Sequence, residues 1–97
     1  MYSDQIDEHE KQLGFVLDRV PNAAGMYHGR EEYVYAAVYN LDSENIIVKE
    51  RCPTGGFRYC HRKKEKSVWK IVDNTHTDPH NAVRQARETL TESTGQA

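Results

Sequence analysis

Residues 33–72, YVYAAVYNLDSENIIVKERCPTGGFRYCHRKKEKSVWKIV, read as four strands separated by turn chemistry. The first, Glu32 to Tyr39, places Tyr33, Tyr35, Ala37 and Tyr39 on one face and Val34, Ala36 and Val38 on the other, as the two-residue period of an extended chain requires. Both faces are apolar, so this strand alone does not select the buried one. NIIVKER (45–51), GFRYCHRK (56–63) and SVWKIVD (67–73) follow. Asn40 to Glu44 and Pro53-Thr-Gly-Gly56 carry residues that turns favour. Lys63 to Lys66 is placed as a third turn by position. Connections this short imply antiparallel neighbours, hence a meander.

Closing each hairpin symmetrically about its turn sorts the side chains. Tyr35, Ala37, Tyr39, Ile46, Val48, Phe57, Tyr59 and Val68 fall on one side. Val34, Ala36, Val38, Ile47, Lys49, Arg51, Arg58, Cys60, Arg62, Trp69 and Ile71 fall on the other. A slip of one residue in a hairpin reverses part of this sorting.

On the N-terminal side, Ser3 or Asp4 can cap a helix running to about Val20, with Ile6, Leu13, Val16, Leu17 and Val20 spaced as one apolar stripe. Pro21 is read as its stop and 21–30, PNAAGMYHGR, as a loop. On the C-terminal side, Asp78 is the expected N-cap and Pro79 the first helical residue. Ala82, Val83, Ala86 and Leu90 face inward from that helix, while Arg84, Arg87, Glu88 and Glu92 face water. The expected fold is therefore α+β, an antiparallel four-stranded meander flanked by an N-terminal and a C-terminal helix (α-β-β-β-β-α). It is expected to form a single domain over residues 1–97, frayed at 1–3 and 93–97.

The formal net charge is −2, which argues against a protein basic throughout. Its distribution is uneven. Between Lys49 and Lys70, eight cations (Lys49, Arg51, Arg58, Arg62, Lys63, Lys64, Lys66 and Lys70) face only Glu50 and Glu65. The first 32 residues are acidic by contrast, with Asp4, Asp7, Glu8, Glu10, Asp18, Glu31 and Glu32 against Lys11, Arg19 and Arg30. No apolar run approaches the ~20 residues of a membrane span, and MYSDQIDEHE lacks the basic start and apolar core of a signal peptide. A cytoplasmic protein with no membrane partner is expected, with Cys52 and Cys60 as free thiols.

The basic stretch RCPTGGFRYCHRKKEKSVWK carries the functional expectation: a small non-enzymatic nucleic-acid-binding protein using a basic hairpin and sheet face. Arg51, Arg58, Arg62, Lys63, Lys64, Lys66 and Lys70 are the candidate phosphate contacts, Trp69 is a candidate stacking residue, and Phe57 or Tyr59 could stack as well. Duplex DNA or structured RNA is the favoured partner. The alternative is a protein-interaction module, in some versions a homodimer, using the acidic N-terminal helix or an aromatic sheet face. The latter requires Tyr33, Tyr35 and Tyr39 to be exposed, whereas a place in the core is the expectation for them.

Other chemistry is poorly supported. His76 and His80 have zinc-ligand spacing, but Cys52 and Cys60 are too far apart for the matching pair, so no metal or other cofactor is expected. Cys60 and His61 are strand neighbours that point to opposite faces, which works against a thiol nucleophile with an adjacent base.

Overall fold

The computed structural model describes residues 6–27, 29, 30 and 32–95. In chain order the elements are α1 (Glu8–Leu13), β1 (Val16–Pro21), α2 (Ala23–Tyr27), β2 (Tyr33–Asn40), β3 (Asn45–Arg51), β4 (Phe57–Glu65), β5 (Val68–His76) and α3 (Pro79–Gly95). The domain is α+β, and the strands form one antiparallel sheet in the order β1-β2-β3-β4-β5. It has five strands where the sequence indicates four.

The extra strand comes from the expected first helix. Asp7 caps α1 through a reciprocal pair: its carboxylate accepts the Glu10 N–H at 2.8 Å, and the Glu10 carboxylate accepts the Asp7 N–H at 3.0 Å. Gly14 then ends the helix in the left-handed region (φ +114°), donating its N–H to the Glu10 and Lys11 carbonyls. The helix stops at Leu13, and Val16 to Pro21 pair along β2 instead. Pro21 is the last residue of an edge strand, where a missing N–H costs no ladder bond. Ser3 and Asp4, the expected caps, lie outside the described residues, as do 1–3 and 96–97 at the expected frayed ends. The expected loop at 21–30 contains α2. There Gly25 is buried so tightly that an added Cβ would lie 2.9 Å from the Arg30 carbonyl.

Each of the first two meander hairpins is offset by one residue from symmetric closure. Tyr39 opposes Ile47, and Arg51, not Cys52, opposes Phe57. The two offsets cancel at β4, so β3 alone is reversed relative to the expected sorting. Ile47 lies with Phe15, Ala37, Tyr59 and the α3 residues Ala82, Val83 and Ala86, while Ile46 and Val48 lie with Val20, Ala36 and Val38. The final turn is also shifted. β4 continues to Glu65, and Lys66 (φ +51°) and Ser67 (φ +67°) form a two-residue turn in the conformation that matches strand twist.

Both faces of the sheet are apolar because both are covered. On one, α1 and α3 enclose Phe15, whose ring meets Tyr39 at 5.5 Å and Tyr59 at 5.8 Å. Asp78 caps α3 as expected, accepting the Asn81 N–H at 2.9 Å. Leu90, expected to face inward, is only half-buried. On the other face the sheet curls over itself. β2 and β3 pair only from Val38 to Asn40, so the β1–β2 ribbon parts from β3–β4–β5. An Arg62 N–H on β4 donates to the Pro21 carbonyl at the end of β1 at 2.7 Å. In a flat sheet those strands lie ~14 Å apart, so the contact requires strong curvature.

Candidate nucleic-acid interface

The candidate cations divide between two ends of the sheet and its interior. At the β4–β5 tip, Lys63 opposes Lys70 and Lys64 opposes Trp69, with Lys66 in the turn itself. Glu65 is the carboxylate set among them, 3.4 Å from Lys70 and 3.9 Å from Lys63. The pairing of β3 with β4 ends at Asn45 and Lys63, so residues 64–67 project beyond it as a two-stranded ribbon. At the opposite end, Arg51 is exposed with its guanidinium 5.4 Å from the Phe57 ring centroid. Arg58 is half-buried and ion-paired to Glu50 at 3.2 Å. Arg58 and Lys64 are six residues apart on β4, about 20 Å at the rise of a strand.

Arg62 is not a surface contact. Its side chain is 1 % exposed, and its second N–H group donates to Glu50 at 2.9 Å beside the bond to Pro21. Trp69 is half-buried against the Val20–Val48 cluster, and the Lys64 ammonium lies 5.7 Å from its ring centroid. Tyr59, the third ring considered for stacking, is buried and donates its hydroxyl to Glu10 in a short hydrogen bond. Lys49 is buried beside it, 3.0 Å from the Glu10 carboxylate. This cluster accounts for much of the acidic first helix: Glu10 faces the interior, leaving that helix a poor docking surface.

A surface not included among the sequence candidates is more prominent. Tyr33 and Tyr35 are 48 % and 61 % exposed, contrary to the expected place in the core, while Tyr39 packs beside Phe15. The Arg19 guanidinium is 5.0 Å from the Tyr33 ring centroid. The registers place Arg19, Tyr33, Tyr35, Arg51 and Phe57 on one face, at the β3–β4 turn end, which α3 leaves open. The conditional signal was present in the sequence, since alternation puts the tyrosines together, but their exposure depended on where the helices pack.

The histidines and cysteines do not form a reactive set. Cys52 and Cys60 are free. Burial, helped by the Glu50 carboxylate, pushes the Cys60 thiol up to about 12, far from nucleophilic. Among the described residues no three His, Cys, Asp or Glu side chains are placed to hold a metal ion. A depression of about 600 Å³ runs beside α3 past Leu13, Tyr39, Val83 and Arg87, but it gathers no convergent polar set. Among the described residues no helix is long and apolar enough to cross a membrane.

His61 has a structural role with a pH consequence. Asn45 donates its amide to Asp42 at 3.0 Å and turns its oxygen to His61 Nε2 at 3.0 Å, which therefore carries the proton of a neutral ring. Burial holds the imidazole below its ordinary 6.5, against the opposing pull of the Asp73 and Asp42 charges. The unfolded chain then binds more protons in the window below 6.5, so stability is full above it and falls as pH drops. Replacing His61 by Gln should flatten the change in urea midpoint between about pH 7 and pH 5. Equal slopes for parent and variant would show that His61 does not contribute to it.

No family model, curated protein or solved structure matches this chain.

Proposed function

We propose that the protein binds nucleic acid, duplex DNA or structured RNA, through the phosphate backbone and without catalysis, with the β4–β5 ribbon as its main point of attachment. The observation that carries this reading is the set Lys63, Lys64, Lys66 and Lys70 around one projecting tip with Glu65. A two-stranded ribbon fits the DNA major groove, and ammonium groups at its tip neutralise phosphates without reading bases. Arg51, and Arg58 through whatever charge Glu50 leaves unbalanced, extend the positive field toward the other end. A cytoplasmic setting belongs to the same reading, since free thiols are the form a reducing compartment maintains.

The test is binding to a labelled duplex and a labelled single strand at two salt concentrations. Affinity should fall with salt by a logarithmic slope of about 0.9 per duplex phosphate engaged. The Lys63→Glu/Lys64→Glu variant should bind more weakly on all sequences and with a flatter slope. A parent protein that binds neither ligand at low salt would overturn the reading.

A second reading, a protein-interaction module or homodimer, is favoured by the edge strand. Val16, Leu17, Asp18 and Arg19 are exposed along β1, whose outer side is unpaired within the sheet. A doubled mass on sizing would favour it.

A further inference from the structure

Resting on the nucleic-acid reading, we propose that the open aromatic face at the β3–β4 end is a stacking site for unpaired bases, so that the ligand carries a single-stranded stretch. Tyr33, Tyr35 and Phe57 are the rings, and Arg19 and Arg51 are the cations that hold the backbone beside them.

Three observations carry this. The first is exposure: Tyr35 and Tyr33 stand out on the strand pair β1–β2, and Phe57 is partly exposed on β4, whereas Tyr59 and Trp69 are taken up by the core. The second is the chemistry of the surround. Arg19 lies over Tyr33, and both Arg51 and Lys49 lie over Phe57, the latter at 4.6 Å. Among the described residues the strands present no carboxylate on this face at this end: Asp18 and Glu50 alternate to the opposite face, and Glu10 is buried under Lys49. An anionic, flat-ringed ligand matches that combination, because a base can stack on a ring or on a guanidinium plane while its phosphate meets the arginine. The third is topology. A base inside a duplex exposes no face for stacking, so a surface of rings standing on a sheet suits unpaired bases, while the lysine ribbon suits phosphates of any form. The two surfaces lie at opposite ends of β4, a separation that one strand of a few nucleotides can cover.

The experiment compares a single strand carrying bases, the same strand with abasic residues, and a blunt duplex, using the full chain and the variants Tyr33→Thr/Tyr35→Thr and Lys63→Glu/Lys64→Glu. Threonine keeps strand propensity, and an unchanged circular dichroism melt confirms that the fold is retained. The parent should prefer the based strand over the abasic one by about tenfold or more, the scale of losing a stacked base. The tyrosine variant should lose that preference and bind the duplex as the parent does, while the lysine variant should weaken on all three ligands. If the parent binds nucleic acid but does not distinguish based from abasic strand, or the tyrosine variant retains the preference, the stacking site is wrong and the phosphate-binding reading stands. If the parent binds none of the three, both fail. Dimerisation of the parent that Tyr33→Thr/Tyr35→Thr abolishes would assign this face to a second copy instead and overturn the inference.

Discussion

Replacing Glu50 by Ala is expected to destabilise the domain by about 3–5 kcal/mol, the range for removing one partner of a buried ion pair. Glu50 is buried and holds two guanidinium groups, Arg62 at 2.9 Å and Arg58 at 3.2 Å. Arg58 can turn to water. Arg62 cannot: its side chain is almost fully enclosed, its Nε finds no partner even in the parent, and without Glu50 the Pro21 carbonyl is its remaining acceptor. Since a small domain is stable by only about 5–15 kcal/mol, the variant should lie near the limit of folding at room temperature. The Glu50→Leu/Arg62→Met double variant should recover most of the loss, because an apolar pair of similar volume replaces a buried ion pair at little or no cost. Urea titration of the three chains checks this. A Glu50→Ala midpoint close to the parent's would mean that water reaches the pair, leaving it worth no more than the ~1 kcal/mol of a surface bridge.

The same pair explains what could be read from the sequence and what could not. β2 to β5 are legible because each alternates over several residues between turn signals, and α3 is legible because Asp78 and Pro79 announce it. β1 is not. Ile6, Leu13, Val16, Leu17 and Val20 fit one helical stripe as well as they fit a short helix, a turn and a strand, and the choice rests on Gly14. A glycine there either weakens a helix or ends it, and the left-handed cap that ends it is a tertiary outcome, supported by the pairing of β1 with β2 and by Phe15 entering the core.

The functional surface divides in the same way. Lys63, Lys64, Lys66 and Lys70 are local to one hairpin, so their grouping survives a small shift in turn position. Arg62 and Lys49 are charged residues inside strands, and local composition cannot say whether such a residue meets water or a buried carboxylate. Their partners Glu50 and Glu10 are set by hairpin register in one case and by docking of α1 in the other. The one-residue offset that reverses β3 carries Lys49 to the face under the helices and Glu50 to the face of Arg62.

Replacing Glu10 by Ala is the second large effect, expected at about 2–4 kcal/mol from an unpaired buried cation and an unsatisfied hydroxyl. Its carboxylate accepts from Lys49, from the Tyr59 hydroxyl and from the Asp7 N–H, tying the start of α1 to the middle of the sheet. Two things keep the loss below that for Glu50. Lys49 is slightly more exposed than Arg62 and its stem can extend past Phe57 to bring the ammonium to water. In addition α1 can open locally, which limits the penalty to its own docking energy. Hydrogen exchange separates these routes from global unfolding: amides of α1 should exchange faster in Glu10→Ala by more than those of β3 and β4. Adding Lys49→Met to Glu10→Ala should raise the urea midpoint toward the parent, since it removes the stranded charge and keeps the volume. If the double variant is less stable than Glu10→Ala alone, Lys49 stabilises the fold through its packing on Phe57 and not through the carboxylate, and the ion pair is not what holds α1 in place.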